Sequence, residues 1–222
     1  MNLTVEVIST GSKGNCYLLK NFANETLILD CGVSYDKILT AKTFKAENVK
    51  GVLVTHQHSD HSKSMKKLET TYDVVFFKET CDKKAIHLGS YIIYPFEVKH
   101  NVICHAFIIY DIISNKYIVY ATDLEKLPKI KNIDFWILEA NNDKDYMFDL
   151  AIKGVQNNNI GAKNHLSIQE ITEYFSDIDI KKPNKILFCH ISKVNMFKDS
   201  FKEFDKLKIN YDIAEDNTIY KF

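Results

Sequence analysis

The sequence predicts an α/β fold in which two mixed β-sheets pack face to face and helices cover both outer faces, a four-layer αββα sandwich. Three observations lead there. Two stretches of the chain are rich in strand-like segments and each is followed by helical ones, the order expected of paired sheets with helices laid outside them. At 222 residues the chain can bury one sizeable core, so a single domain over residues 1–222 is expected. No internal repeat or low-complexity block divides it further.

Residues 3–9 alternate with a period of two and read as a strand, and Thr10-Gly11-Ser12-Lys13-Gly14-Asn15 reads as a glycine turn. This turn lacks the Gly-Lys-Ser/Thr ending of a phosphate-cradling loop. Residues 16–20 and 26–30 are two further strands with Asn24 in the turn between them, and residues 34–43 look helical with Ser34 as a cap. The apolar, β-branched run Gly51-Val52-Leu53-Val54-Thr55 is a buried strand. Beyond it, residues 62–69 should form a helix turning Met65 and Leu68 inward, residues 73–77 a strand, and residues 78–88 a short helix with His87 on the surface.

Residues 91–98, 107–113 and 116–121 follow as strands, the last two forming a hairpin across Ser114-Asn115. Residues 135–139 are another buried strand. Residues 146–155 alternate helically, and Asn157-Asn158-Asn159 is a turn. Ser167-Ile168-Gln169-Glu170 is a capping box, with Ile168, Ile171, Tyr174 and Phe175 on one apolar helical face. Residues 185–190 form a strand, residues 196–207 a helix, and residues 211–214 and 218–222 the closing strands.

Hydrophobic residues make up 45% and charged residues 26% of the chain, ordinary for a soluble globular protein. Lysine plus arginine balances aspartate plus glutamate at 29 each, so no global basic field draws in nucleic acid. A polyanionic substrate must be held locally. The alternating start carries no signal-peptide pattern and no apolar run is long enough to span a membrane, which points to the cytoplasm and to no membrane partner. Five scattered cysteines, an odd number without a Cys-x-x-Cys pair, fit reduced cytosolic thiols. Strand alternation puts Cys189 on the face opposite His190, a packing position rather than half of a Cys/His nucleophile.

The chemistry concentrates in Thr55-His56-Gln57-His58-Ser59-Asp60-His61-Ser62. Three imidazoles and a carboxylate within six positions suit zinc, with manganese and iron as neighbours in preference. The loop leaves a strand end. An extended backbone aims His56 and His58 to one side, whereas the adjacent Asp60 and His61 diverge, a geometry better suited to two neighbouring divalent ions than to one.

This His-x-His-x-Asp-His string resembles the signature of the metallo-β-lactamase-fold metallohydrolases. The resemblance implies the αββα sandwich with metals at one edge of the sheets. Gly11-Ser12-Lys13-Gly14-Asn15-Cys16 and Ile28-Leu29-Asp30-Cys31-Gly32 resemble the opening of a small nuclease branch related to the YycJ exonuclease, although turn formation accounts for most of what these glycines do. His100, after a strand, matches the family's third histidine, and His105 competes for that place. Asp123 resembles the bridging carboxylate and His190 the last ligand; a helix cap and a buried core residue are the plain alternatives. The carry-over assigns His56, His58 and His100 to one metal, Asp60, His61 and His190 to the other, and Asp123 to both, with a bridging hydroxide as nucleophile. Glu139 and His165 resemble the pair that stands beside the metals in the RNase Z endonucleases, His165 as proton donor and Glu139 as its orienter. Asn142 stands where that branch commonly shows histidine.

The signature is shared by hydrolases of phosphodiesters, thioesters, lactones and β-lactams. The full ligand set, with Asp60 paired to His61, and the Glu139/His165 pair favour a phosphodiesterase or nuclease. A thioester or lactone hydrolase is the first rival and a non-catalytic metal-holding protein the second. The stretch between Asp123 and His190 is too short for the large insert of the β-CASP relatives. Lys13, Lys63, Lys66 and Lys67 read residue by residue as a solvated face, so a short or single-stranded nucleic acid, or a small phosphodiester, is the expected substrate.

Overall fold

In the computed structural model, which describes residues 3–76, 84–154, 162–197 and 199–222, the strand-forming segments pair into two sheets. The first contains β1 (Thr4–Ser9), β2 (Cys16–Lys20), β3 (Thr26–Leu29), β4 (Val49–Leu53), β5 (Val74–Val75) and β13 (Thr218–Lys221), in the order β13-β1-β2-β3-β4-β5. The second contains β6 (Ile86–Leu88), β7 (Tyr91–Val98), β8 (Cys104–Asp111), β9 (Lys116–Ala121), β10 (Phe135–Glu139), β11 (Lys185–Cys189) and β12 (Tyr211–Ile213), in the order β12-β11-β10-β9-β8-β7-β6. Short turns make β1 to β3 and β6 to β9 antiparallel, whereas longer connections make β3, β4 and β5, and β9 to β12, parallel. Both sheets are therefore mixed.

Strand alternation divides the apolar side chains into layers. Val5, Val7, Leu27 and Leu29 of the first sheet meet Ile93, Phe107, Ile137 and Leu187 of the second in the middle layer. On the outer face of the first sheet, Ile28 and Val52 are covered by Ile38 of α1 (Tyr35–Leu39) and Leu68 of α3 (Met65–Leu68). On the outer face of the second, Trp136, Leu138 and Phe188 are covered by Ile168, Ile171 and Phe175 of α5 (Ile168–Ser176) and Phe204 of α6 (Lys202–Asp205). Each such side chain contributes about 1.5–3 kcal/mol by leaving water, which makes this layering, rather than helix propensity, the source of the architecture. The α5 cap forms reciprocally: Ser167 accepts from the Glu170 amide and the Glu170 carboxylate from the Ser167 amide.

Several elements differ from the sequence expectation, each for a local reason. The helix expected over 62–69 is two single turns, α2 (Ser59–Ser62) and α3, because the Ser64 hydroxyl donates to the Val33 carbonyl and its amide to that of Cys31. The helix expected over 34–43 stops after Leu39, since the Glu6 carboxylate takes the amides of Lys42 and Thr43 into a turn. Where a helix over 78–88 was expected, residues 77–83 lie outside the described part and Ile86–Leu88 is an edge strand, with Leu88 in the middle layer. The long C-terminal helix shortens to the single turn α6. The first strand of the expected hairpin starts earlier, at Cys104, and ends at Asp111. Helix α4 (Lys144–Ile152) begins two residues early, capped by Asp143, and the Asn157 turn lies outside the described residues.

Three strand ends carry the chain into left-handed backbone: Asp30 after β3 (φ 53°), Asp123 after β9 (φ 57°) and His190 after β11 (φ 51°). Non-glycine residues adopt this region rarely and at a cost, so three instances at one edge of the sandwich mark that edge as the place where function constrains the backbone.

Candidate metal centre

The candidate residues arrive at that edge from the ends of several strands and from α2. The β4 exit delivers Thr55 and His56, and α2 delivers Asp60 and His61. His100 follows β7, Asp123 follows β9, Glu139 ends β10, and His190 follows β11. Nε2 of His56 lies 2.9 Å from Nδ1 of His58, and the His100 ring stands 5.1 Å from His56 and 5.5 Å from His58, centre to centre. Donor atoms of these three histidines lie within 4.8 Å of one another, and so do those of Asp60, His61 and His190.

Asp123 faces both trios. Its Oδ2 is 3.0 Å from Nε2 of His61 and 3.8 Å from Nδ1 of His190, and its Oδ1 is 4.0 Å from Nε2 of His100. His105 stands on β8, pairing across to Glu97, and belongs to no such group. Cys189 points into the middle layer, where burial pushes its thiol up, so it packs and is a poor nucleophile.

The electrostatics favour metal-ready protonation states at His56 and Asp123, whereas at His61 burial is outweighed by Asp123 and Asp30, which favour its cation until a metal displaces the proton. Burial, then the neighbouring His61, pushes His56 down to about 2, which keeps it neutral with a free lone pair. Burial opposes charge on Asp123 as well, but His190 and His61 outweigh it and hold the carboxyl well below the usual range. Nε2 of His100 and Nε2 of His190 are buried without a hydrogen-bond partner. Leaving such atoms unpaired costs about 1–3 kcal/mol each, a cost that a cation would remove. The residues present therefore fit divalent metal: His56 and His100 held toward the neutral form by burial, two carboxylates, and unpaired nitrogens within reach of one another.

Around these residues the chain builds a support that the motifs alone did not reveal. Asp30, fully buried, accepts from Nδ1 of His61 at 2.6 Å, from the Thr55 amide at 2.8 Å and from the Tyr120 hydroxyl. This fixes the tautomer that leaves Nε2 of His61 facing Asp123. Thr55 stands between Asp30 and Nδ1 of His56, 3.0 Å from each. The Asn15 side chain is held by the Gly11 amide and the Tyr17 hydroxyl, and its Nδ2 reaches 3.0 Å from Nε2 of His61.

The glycine segments do more than turn. A Cβ on Gly32 would fall 1.7 Å from the Asp60 carbonyl oxygen, and one on Gly14, at φ +136°, 2.5 Å from that of Gly32. Their lack of a side chain lets the amides of Asn15 and Cys31 hold the α2 turn by the carbonyls of Asp60 and His61. Asp30→Ala is expected to cost about 3–5 kcal/mol of stability and to weaken metal affinity about 10–100-fold. Denaturant unfolding and chelator competition measure the two, and wild-type metal affinity would remove Asp30 from the centre.

Glu139 and His165 pair at 2.9 Å between Oε2 and Nδ1, and that Nδ1 is 3.5 Å from Oδ1 of Asp123. The other Glu139 oxygen accepts the amides of Leu124 and Leu166, so this carboxylate is committed to protein donors. Burial alone would raise its pKa, but hydrogen bonds from His165 and His190 hold it down. Burial likewise disfavours the His165 cation, and the Glu139 bond outweighs it, raising His165 toward the protonated form. Asn142 pairs with Ser167 and approaches the His165 carbonyl, which places it behind the pair.

A sequence profile of the metallo-beta-lactamase superfamily matches residues 9–150. The chain belongs to that superfamily, and its class of activity is hydrolysis. Exodeoxyribonuclease WalJ of Streptococcus pneumoniae is 23% identical over 228 residues, covering 87% of this chain and 83% of its own. The metallo-beta-lactamase fold protein YhfI from Bacillus subtilis superposes with a TM-score of 0.75 at 18% identity over 100% of both chains. The short form of human tRNase Z superposes with a TM-score of 0.64 at 14% identity over 99% of each. The two structural likenesses confirm the four-layer fold. No helix among the described residues is long and apolar enough to cross a membrane.

Proposed function

We propose that the chain is a metal-dependent phosphodiesterase of the nuclease kind, holding two divalent ions, zinc by donor preference. His56, His58 and His100 would hold one, Asp60, His61 and His190 the other, with Asp123 facing both. When bound, such a pair of ions lowers the pKa of a water and stabilises charge on phosphoryl oxygens. The chain's own residues do the rest. Asp30 and Thr55 orient the imidazoles, and Glu139 favours the charged form of His165 and holds it beside Asp123, where its proton can pass to a departing alkoxide.

The observation that carries this reading is the Glu139–His165 pair at 2.9 Å beside the histidine cluster. An alkoxide leaving from phosphorus needs a proton and a thiolate leaving from a thioester does not, so the pair speaks against the thioester; a lactone also expels an alkoxide, and there the nuclease relative tips the reading. The naming of WalJ as an exodeoxyribonuclease supports the same direction. The test is parallel hydrolysis of end-labelled single-stranded DNA and RNA, bis-p-nitrophenyl phosphate, a thioester and nitrocefin, with metal and after chelation. Chelation-sensitive cleavage of the phosphodiesters is expected. Turnover of the thioester or nitrocefin with no phosphodiester cleavage overturns the reading, and silence on every substrate with two metals bound favours a binding protein.

A further inference from the structure

Helix α4 leaves its apolar side chains outside the core. It carries Tyr146, Met147, Phe148, Leu150 and Ile152, yet none of its residues is buried, and Phe148 and Ile152 are 68% and 69% exposed. A surface helix ordinarily hides one apolar stripe. Tyr146 instead stacks on Phe197, from the loop after β11, with ring centres 5.5 Å apart and planes 19° from parallel. Phe197 and its neighbour Val194 are themselves exposed.

This aromatic pair is tied to the metal centre by the backbone. The Asp143 amide donates to the Asn195 carbonyl and the Ser192 amide to that of Asn141, while the Asn141 side chain donates to the His190 carbonyl. Helix and loop thus continue from the strands that end in Glu139 and His190. Exposed cations flank the centre in sequence. Lys13, Lys63, Lys163 and Lys193 lie within three residues of Asn15, His61, His165 and His190 respectively, Lys193 on the same loop as Phe197, and none forms an ion pair among the described residues. The groove on the α5 side of α4 is acidic, lined by Asp143, Asp145, Glu173, Asp199 and Glu203, so the phosphates of a bound strand would follow the lysine side instead.

We propose that the Tyr146–Phe197 stack, extended by Phe148, is a base-binding platform for single-stranded nucleic acid whose phosphates follow these lysines to the metal centre. The proposal rests on the nuclease reading above and adds to it the subsite that grips the strand. Flat rings on the loop that carries the exposed Lys193, with further exposed lysines next in sequence to the centre, match the alternation of bases and phosphates. A second copy of this chain fits less well, because a two-fold contact over the same face would bring like lysine charges together.

The experiment compares metal-loaded wild type, Phe197→Ala, Tyr146→Ala and Phe197→Tyr on a labelled single-stranded oligonucleotide and on bis-p-nitrophenyl phosphate, with size-exclusion chromatography of each. Either alanine variant should raise KM for the oligonucleotide about tenfold, as loss of one stacked base does. Its loss in kcat/KM on the small ester should be several-fold smaller, and Phe197→Tyr, which keeps a ring, should restore the oligonucleotide KM. Equal losses on both substrates, or an unchanged oligonucleotide KM, overturn the platform. A dimer that dissociates in the alanine variants with oligonucleotide KM unmoved also overturns it and assigns the face to self-association. Failure of wild type itself on every single strand overturns the nuclease reading, and is read without the variants.

Discussion

Asp123→Asn is expected to lower metal-dependent hydrolysis on the order of a thousandfold or more and to reduce bound metal below two per chain. Among the described residues its carboxylate is the acidic group whose two oxygens address both ligand trios, 3.0 Å from His61 on one side and 4.0 Å from His100 on the other. Asparagine keeps the shape but removes the charge, and can turn an N–H toward imidazole nitrogens that should be acceptors. The neighbouring Thr122 hydroxyl, which donates to the carboxylate, also loses part of its partner. Two ions brought to one edge of a buried site repel one another, and a shared anion is the group that offsets this. Elemental analysis of the purified variant and its rate on bis-p-nitrophenyl phosphate decide the matter. Two metals per chain with a rate near wild type would take Asp123 out of the shared position.

How much of this could be read in advance depends on whether the determinant was local. His56, His58, Asp60 and His61 are contiguous, so their donor types and spacing were visible in one line of sequence. Alternation in 3–9 reports a strand with two chemically different faces, and short runs such as 91–98 and the fully buried 135–139 report strands by length and apolar content; all three form with bounds within a residue of expectation. Asp30 was read as the last residue of a strand because nothing near it says otherwise. Its meaning comes from Thr55, His61 and Tyr120, which reach it only after both sheets close. Asn15 and Gly32 are similar, since close approach to the α2 turn is a tertiary fact that a glycine count cannot show. The start of β8 was missed because Cys104-His105-Ala106 lacks β-branched character, although all three are buried, and burial overrides that weak preference. The shortened helices fail for the opposite reason: their apolar spacing is real, but the Cys31 carbonyl captures the Ser64 amide and the Glu6 carboxylate captures those of Lys42 and Thr43, which further turns would use.

His165→Ala should leave metal content at the wild-type level and slow cleavage of a natural phosphodiester by about a hundredfold to ten-thousandfold, the span of a lost general acid. On a p-nitrophenyl ester the loss should largely disappear, because nitrophenolate departs without a proton. The geometry explains why the effect divides this way. His165 is 15% exposed in its side chain, so it borders the open site, whereas Glu139 behind it is fully buried. Glu139 both orients the ring and favours its cation, so Glu139→Gln should reproduce the same leaving-group pattern in milder form while keeping an oxygen for the amides of Leu124 and Leu166. If His165 instead served only to pack the site, its removal would slow both substrates alike, and the glutamine variant would not sort them by leaving group. Single-turnover rates on the two substrates, with metal content measured on the same samples, separate a proton donor from a structural histidine.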